Sequence, residues 1–451
     1  MGAFGAVSQR EMTNLVLLRV RHFASGEAVM MKRVLIWGGG ALFVFVMVGF
    51  WVFSSPWLQE MRLPDDYYLG RYHVLSSSKD AADQKKVAEL KQEADVLYQW
   101  MLQKHPELQV EYREVPPEQN QFLQWWQFLE EMGQGQDWKL LERSFSEGRE
   151  EVIGDAQLEK DWLKQQGSVL AKIREIGLLE EVSYMGFAVD QLIDERMSFL
   201  LPCQEALLLE AKVAATNGDE VGARTAVKAA RGLVRMLGKF EIRCLYLETI
   251  RILGDLQVCH FVFDVIFPTL GNQKIEVSKW EEVFMDVMRF PKDFAEVYRG
   301  EWHFSAQMIY PVIVDEEEPY PIRDASVFLD AHARFFTEKI ELLSGSSLSD
   351  YPNLVRKFEN RQFSHLSERS QKLISDLYDS ERGWNAGMLR AICVFGFYKT
   401  AFEVMKGEAV PVDPIYGQPY RWDPVTGEFA TPDTPEFPPS NQLSIILPIL
   451  P

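Results

Sequence analysis

One uninterrupted apolar run near the N-terminus constrains this chain more than any other feature. Residues 34–53 hold 20 consecutive positions without a charge, a proline or a strongly polar side chain. As a helix rising about 1.5 Å per residue, such a run spans about 30 Å, which is the thickness of the hydrocarbon core of a bilayer. The run therefore predicts a single transmembrane helix over residues 34–53.

A cleaved secretion signal and a buried core helix are the alternatives for this run. The apolar part of a signal is about 7–15 residues long and is followed by small residues at the cleavage site. Here the run is longer, and its exit contains bulky residues, Trp51-Val52-Phe53-Ser54-Ser55-Pro56-Trp57. Trp37 near one end and Trp51 near the other occupy positions where indole rings prefer the headgroup level of a membrane. These features favour a retained anchor.

The charges that flank the run predict its orientation. The basic residues Arg19, Arg21, Lys32 and Arg33 lie ahead of it, whereas the residues just after it are mainly acidic. Because positive loops stay in the cytoplasm, we expect residues 1–33 to be a cytoplasmic tail and residues 54–451 to lie outside. In a bacterium this describes a single-pass protein of the inner membrane with a periplasmic body.

The stretch Met30-Met31-Lys32-Arg33 is typical of a short charged signal region. It suggests that translation begins at Met30 or Met31, and a cytoplasmic amphipathic tail over residues 1–33 is the alternative.

The charge of the exported part excludes one broad class of function. Residues 1–53 carry five bases and two acids, so 42 bases and 64 acids remain, a net charge of −22. A nucleic-acid-binding protein needs basic patches to neutralise phosphates, and the sequence shows none. We therefore expect no nucleic-acid partner.

Helical spacing recurs throughout residues 80–407, after a juxtamembrane linker predicted over residues 54–79. Apolar residues three or four positions apart predict helices over residues 81–104, 116–133, 157–180, 240–267, 280–288, 294–308, 325–343 and 366–405, the last broken near Gly383. The fold class that follows is mostly α: a transmembrane helix and then a bundle or array of helical hairpins.

Residues 203–239 form the best-defined unit of this body. Two helices rich in alanine and leucine flank Asn217-Gly218-Asp219, where Asn and Gly end one helix and Asp caps the next. The hairpin resembles a tetratricopeptide repeat, because Gly218, Asp219, Ala223 and Ala230 fall at the turn and small-residue positions of that repeat. Val227 and Arg235 stand where the repeat has an aromatic residue and a proline.

The four cysteines lie among apolar neighbours, which predicts buried free thiols. If a disulfide forms, we expect it between Cys203 and Cys244, which fall near the first turns of two parallel helices. Cys259 is 15 residues beyond Cys244 on what reads as the same helix, about 22 Å away and too far to bridge. Cys393 belongs to a distant helix.

The C-terminal segment, residues 408–451, differs in kind from the helical body. It holds 10 of the 22 prolines and has no helical period. Pro424-Val425-Thr426-Gly427 predicts a β-hairpin between residues 420–422 and residues 428–430.

Three short motifs carry a resemblance to a known group of proteins. They are Asn217-Gly218-Asp219, Arg299-Gly300-Glu301 and the nine residues from Asp413 to Arg421. With the N-terminal run, they resemble the uncharacterised membrane-anchored helical envelope proteins common in planctomycete and verrucomicrobial bacteria. The resemblance implies an anchored helical fold and no particular activity. The closing hairpin is also similar to the end of type II secretion pseudopilins.

The search for reactive groups predicts no catalytic, cofactor-binding or metal-binding residue. The seven histidines lie at no metal-ligand spacing, and no nucleotide, hydrolase or calcium motif occurs. Glu296, Glu301 and His303 share a predicted helix and are candidates for acid–base work, but aromatic neighbours favour packing. Trp125-Trp126 could stack a sugar or peptide, although core packing is favoured. Asp315-Glu316-Glu317-Glu318 could attract a cation, although a solvated loop is favoured.

These observations predict a non-enzymatic function as a helical scaffold or interaction module at the cell envelope. The expected partners are the membrane and other envelope proteins, and no cofactor is expected. Two alternatives stay open. One is an envelope hydrolase whose site is assembled from scattered carboxylates, and the other is an accessory subunit of a secretion or pilus-like system.

Overall fold

Helices dominate the part of the chain that our computed structural model describes. The described residues are 72, 75, 76, 78, 80–133, 138–185, 197, 199–271, 275–284, 292–318, 322–359 and 363–448. The predicted cytoplasmic tail, the predicted anchor over residues 34–53 and most of the predicted linker lie outside them. Among the described helices, none combines the length and the apolar character that a membrane crossing requires.

Fourteen α-helices are numbered here in chain order within the described residues. They are α1 Ala81–Lys104, α2 Gln121–Gly133, α3 Trp138–Glu150, α4 Ala156–Gln165, α5 Gly167–Leu178, α6 Leu200–Thr216, α7 Glu220–Arg235, α8 Leu245–Phe261, α9 Phe267–Leu270, α10 Val277–Phe284, α11 Lys292–Val314, α12 Ala325–Ser344, α13 Tyr351–Glu359 and α14 Glu368–Met405. A π-helical turn, Val262–Ile266, joins α8 to α9. The prediction of a mostly helical fold is confirmed.

The chain divides into two compact units. The first comprises the described residues up to Gln109, Trp302–Thr337 and Glu359–Gly387. The second comprises Val110–Glu301, Glu338–Phe358 and the described residues from Met388 onward.

Helix α1 shows how local sequence sets a boundary in the first unit. The side chain of Asp80 accepts a hydrogen bond from the Ala82 amide at 2.7 Å and so caps the helix. Val87 and Leu90 are buried one turn apart and form an apolar cluster with Tyr72 and Val312. Both ends of α1 agree with the prediction from apolar spacing.

The helical hairpin predicted in the second unit is also confirmed. Gly218 follows the end of α6 with a φ of 75°, a conformation that glycine adopts without the steric cost of a Cβ atom. Asp219 then accepts from the Gly222 amide at 2.8 Å and caps α7. Along α7 the residues Ala223, Ala226, Val227, Ala230, Leu233 and Val234 are buried and form one apolar stripe.

A second contact fixes α7 against α5. A Cβ atom at Gly232 would lie 1.7 Å from the carbonyl oxygen of Gly177, and one at Gly177 would lie 2.3 Å from that of Ala229. No side chain fits at either position, so the two helices pack backbone to backbone. This close approach makes α5, α6 and α7 a three-helix group.

Several predicted helix boundaries are wrong, each for a local reason. Helix α2 begins at Gln121 and not at Pro116, because the side chain of Asn120 accepts from the Phe122 amide and supplies the cap. Residues 157–180 form two helices, α4 and α5, with Gln166 between them. Helix α8 begins after Cys244, five residues later than predicted. Helix α14 runs unbroken through Gly383, because one glycine costs a helix only about 1 kcal/mol.

The C-terminal segment forms the predicted hairpin and one strand more. Strands β1 (Arg421–Asp423) and β2 (Glu428–Ala430) pair antiparallel, with Trp422 opposite Phe429. A third strand, β3 (Ser444–Ile446), pairs with β2 and was not predicted, because three residues are too few for alternation to be recognised. Phe429 stacks on Phe397 of α14 with 4.8 Å between ring centroids, which seats the sheet on that helix.

All four cysteines are buried and free, in agreement with the expectation of buried thiols. Cys244 was predicted to lie in the first turns of a helix that starts at residue 240. It occupies the N-cap position of α8, and the helix begins one residue after it. Burial raises the pKa of its thiol to about 12, with Glu301 adding to the effect. The thiol is therefore protonated and unreactive at neutral pH.

Candidate functional site: a basic cleft in the second unit

Three chain segments of the second unit are joined by a polar clamp. The guanidinium of Arg113 donates to the carbonyl oxygens of Val182 at 3.2 Å and Lys239 at 2.9 Å. The carboxylate of Glu241 accepts from the backbone amides of Arg113 at 3.1 Å and Tyr184 at 2.9 Å. Because one carboxylate and one guanidinium hold all three segments, their relative positions are well defined.

Asn120 and Gln121 extend this clamp to the start of α2. The Asn120 side chain donates to the Ser183 carbonyl at 2.9 Å and accepts from the Ser183 amide at 3.2 Å. The Gln121 side chain donates to the Gly232 carbonyl at 2.9 Å. The residues that follow α5 are thereby fixed beside the last turns of α7.

A small open cleft lies at this junction, with a volume of about 20 Å³. We call it the basic cleft and define it by Gln121, Glu180, Lys228, Gly232, Arg235 and Lys239. Its volume suits one water-sized group. Three of the nine residues that line it are cationic, although the chain as a whole carries a net charge of −19.

Helical spacing brings these cations together. Arg224, Lys228, Arg231 and Arg235 follow one another every three or four residues on α7, and Lys239 continues the row. Arg224 pairs with Glu220 at 3.3 Å, and Arg231 pairs with Asp255 at 2.9 Å. Lys228, Arg235 and Lys239 are the members of the row that line the cleft.

The cations of the cleft lie close to one another, and the carboxylates of Glu180, Glu181 and Asp255 offset part of their charge. Burial lowers the pKa of Lys239, and the neighbouring Arg235 lowers it further. Burial also lowers the pKa of Arg235, with Arg231 adding to the effect. Lys239 donates to the backbone carbonyl of Glu180, and Lys228 lies 3.5 Å from the Glu180 carboxylate. An anion in the cleft would relieve the repulsion among these cations.

A buried ion network joins α7 through Arg231, a member of the same basic row. Arg251 donates to Glu248 at 2.6 Å and to Asp255 at 2.8 Å, and Asp255 also accepts from Arg231 at 2.9 Å. Burial alone would lower the pKa of Arg251, but the Glu248 and Asp255 carboxylates hold it above its ordinary value. Arg251 therefore stays charged, and the pairing of Arg231 with Asp255 ties α7 to α8.

The three acid–base candidates on α11 have separate structural roles. Glu296 pairs with Arg299 one turn along the same helix. Glu301 accepts from the Leu245 amide at 2.8 Å and so caps α8. Burial raises the pKa of Glu301 to about 7, and Lys339 offsets part of that rise. A Cβ atom at Gly300 would lie 2.0 Å from the Arg243 carbonyl oxygen, so the Arg299-Gly300-Glu301 motif permits a close approach and a cap.

His303, in the first unit, is held on both sides of its ring. Its Nε2 lies 2.7 Å from the Leu108 carbonyl oxygen, and its Nδ1 bonds the hydroxyl of Tyr98. A carbonyl oxygen only accepts, so Nε2 carries the proton and Nδ1 accepts from Tyr98. The ring is buried and its hydrogen bonds are satisfied, which indicates a structural role.

The first unit also contains a serine–histidine pair that the sequence analysis did not identify. The hydroxyl of Ser305 lies 2.9 Å from Nε2 of His332, and both residues are buried. Nδ1 of His332 has no hydrogen-bond partner among the described residues, so no carboxylate orients the ring. Burial lowers the pKa of His332 to about 3. Because the pair is enclosed by aromatic rings and closed to solvent, it lacks what nucleophilic catalysis requires.

The remaining candidates also have packing or pairing roles. Trp125 and Trp126 are both buried, in agreement with the preference for core packing. The acidic run is not the solvated loop that was favoured, because Asp315 and Glu318 are buried and Glu318 pairs with Arg369 at 3.2 Å. Within the described residues, no three His, Cys, Asp or Glu side chains are placed to hold a metal ion.

The closing motif from Asp413 to Arg421 is a structural turn. The Asp413 carboxylate accepts from the amides of Ile415 at 3.0 Å and Tyr416 at 2.7 Å. Tyr420 stacks near Phe429 at 5.5 Å and joins the sheet to the core. The sequence motif is thus explained by turn chemistry and packing. Comparisons with known proteins add no further interpretation, because no protein family, curated protein or solved structure matches this chain.

Proposed function

We propose that this protein is a helical interaction module of the bacterial envelope. The apolar run over residues 34–53 anchors it in the inner membrane, and the helical body faces the periplasm. It belongs with the anchored helical envelope proteins whose short motifs it shares. This role is non-enzymatic, and the partners are other envelope proteins.

One observation carries the proposal: the basic cleft is a charged concavity on a rigid support. The backbone contact between Gly177 and Gly232 and the clamp of Arg113 and Glu241 fix its walls. Rigid, pre-organised surfaces lose little entropy on binding and so favour specific association. Glu301, one of the acid–base candidates, is engaged as the cap of α8.

Cross-linking in intact cells tests this function. The full chain should capture a defined envelope protein that binds back when it is purified separately. The Lys228→Glu variant should lose this capture, whereas Lys172→Glu, on the neighbouring helix α5, should retain it. Lys172 pairs with Glu175 at 3.6 Å and does not line the cleft, so it is a matched control. Equal capture by all three chains would contradict the proposal.

A further inference from the structure

We propose that Asn217 is a site of spontaneous deamidation, and that the turn between α6 and α7 controls how fast the reaction runs. The turn residues Asn217, Gly218 and Asp219 are all exposed to solvent. Asn217 is followed by glycine, and no other asparagine of the chain is. The inference is independent of the proposed function, because it concerns the covalent chemistry of the chain itself.

The reaction uses two groups of the chain and one water molecule. The backbone nitrogen of Gly218 attacks Cγ of the Asn217 side chain, so that a new N–Cγ bond closes a succinimide ring and the Cγ–Nδ2 bond breaks. The amide proton of Gly218 goes to the departing nitrogen, which leaves as ammonia. Water then opens the ring at either carbonyl and gives aspartate or isoaspartate at position 217. Glycine favours the attack, because it has no Cβ atom to obstruct the nitrogen.

The attacking nitrogen is engaged in a hydrogen bond in the folded chain. The Gly218 amide donates to the Ala215 carbonyl at 2.9 Å, and the next amide, that of Asp219, donates to the Ala214 carbonyl at 2.9 Å. These two bonds are those of a Schellman motif, which ends helix α6. An amide that donates its proton to a carbonyl oxygen in this way is held away from the attack.

The side chain of Asn217 is held as well. Its Oδ1 accepts a hydrogen bond from the ammonium of Lys160, on α4, at 3.2 Å. Both residues are exposed, so water competes for this bond. The reaction therefore requires a local opening in which the turn releases the Gly218 amide and the Asn217 side chain. Exposed turns open more often than a core does, so the site reacts without unfolding of the whole chain.

The two products should act differently on the hairpin. Aspartate places a carboxylate oxygen where Oδ1 lies, opposite Lys160, and turns a charge–dipole contact into an ion pair between α4 and the end of α6. Isoaspartate inserts a methylene group into the main chain, so the amides of the Schellman motif no longer match the end of the helix. Conversion therefore changes both the charge and the geometry of the turn.

Peptide mapping of the full chain by mass spectrometry, during incubation at neutral pH, tests the inference. The reference is a synthetic peptide of residues 211–223, which is too short to hold two helices. In the full chain, Asn217 should convert before any other asparagine and at least about tenfold more slowly than in the peptide, because only the opened molecules react. Urea below the unfolding midpoint should speed the conversion, since it favours opening.

Two variants separate the restraint by Lys160 from a general effect of charge. Lys160→Met should speed the conversion about threefold, the effect of losing one exposed hydrogen bond. Lys164→Met, on the same helix, should leave it unchanged. Circular dichroism of each variant shows whether the chain is folded, so that a faster rate reports the turn and not global unfolding.

Three results would overturn the inference. Conversion as fast as in the peptide would show that the turn does not protect Asn217. Earlier conversion of another asparagine, or none at position 217 at the urea midpoint of unfolding, would show that Asn217 is not the reactive site. A Lys160→Met chain that converts no faster than Lys164→Met would contradict the restraint by Lys160.

Discussion

In the first unit, the buried polar side chain of His332 is neutral and lies among aromatic rings. In the second, Arg251 is charged and is paired with two carboxylates. The His332 ring lies 5.9 Å from that of Phe328 and 5.4 Å from that of Phe336, with one hydrogen bond to Ser305. Arg251 has bidentate bonds to Glu248 and a further bond to Asp255.

This difference shows two ways of placing a polar group in a core. A histidine can leave water by losing its proton, at a cost that depends on pH. An arginine keeps its charge at any physiological pH, so it needs carboxylate partners in the same core. The two units should therefore differ in how acid and mutation affect them.

The largest expected effect comes from breaking the ion network with Arg251→Met. The substitution removes the bidentate partner of Glu248 and leaves a buried carboxylate uncompensated. Such a loss costs about 3–5 kcal/mol in the free energy of unfolding. Urea unfolding followed by tryptophan fluorescence measures it. The control Lys172→Met breaks a pair whose side chains are 40% and 69% exposed, and it should change stability by under about 1 kcal/mol. Equal effects of the two variants would show that the buried network stabilises the second unit no more than an exposed ion pair does, and would contradict the prediction.

Acid should destabilise the first unit through His332. Its pKa is about 3 in the folded chain and about 6.5 when unfolded, so the unfolded state binds the extra proton between these values. Stability is then lost as pH falls, by about 2 kcal/mol between pH 7 and pH 5. Because Glu301 has the opposite slope over this interval, the loss should appear when unfolding is measured at both pH values in a Glu301→Gln background, and adding His332→Gln should reduce it. The control His365→Gln changes an exposed histidine of the same unit and should leave the loss in place.

Glu301 in the second unit should have the opposite pH dependence. Its folded pKa of about 7 exceeds the ordinary value of 4.5, so the folded state holds a proton that the unfolded state releases. Its stabilising contribution is complete below pH 4.5 and falls by about 1.5 kcal/mol between pH 4.5 and pH 6. Glu301→Gln keeps an oxygen acceptor for the Leu245 amide, and it should remove this slope.

The measurement for Glu301 is the same unfolding titration, with Glu296→Gln as control on the same helix. Because the slopes of His332 and Glu301 have opposite signs, they partly cancel in the unmodified chain. Only the single variants separate them. If the stability of the Glu301→Gln chain still falls as pH rises from 4.5 to 6, this slope does not come from Glu301.

The sequence predicted those parts of the molecule that depend on neighbouring residues. Helix α1 and the α6–α7 hairpin follow from apolar spacing and from the caps Asp80 and Asp219, all within a few positions of one another. The hairpin of β1 and β2 follows in the same way from its turn residues.

The contacts that define the two cores and the cleft were not predictable, because they join distant positions. Ser305 meets His332 across 27 residues, and Arg231 meets Asp255 across 24. The basic row on α7 could have been recognised from its spacing of three and four residues. The expectation that the sequence contains no basic patch is wrong at this row, because net charge does not report how charges are distributed along one helix. The close approach of Gly177 to Gly232 has no local signal that a sequence pattern could report.

The smallest expected effect tests this division between local and distant signals. Gly218→Ala places a Cβ atom at a φ of 75°, where an L-residue is disfavoured by about 1 kcal/mol. The free energy of unfolding should fall by that amount, because the turn between α6 and α7 requires a positive φ at residue 218 regardless of the distant contacts. Gly167→Ala is the matched control: its new Cβ atom meets no atom within 4 Å, and Gly167 lies in the first turn of α5. There alanine should be neutral or stabilise the chain by up to about 1 kcal/mol, because it restricts the unfolded state. If Gly218→Ala proves as harmless as Gly167→Ala, the turn is set by packing of the two helices and not by its own residues.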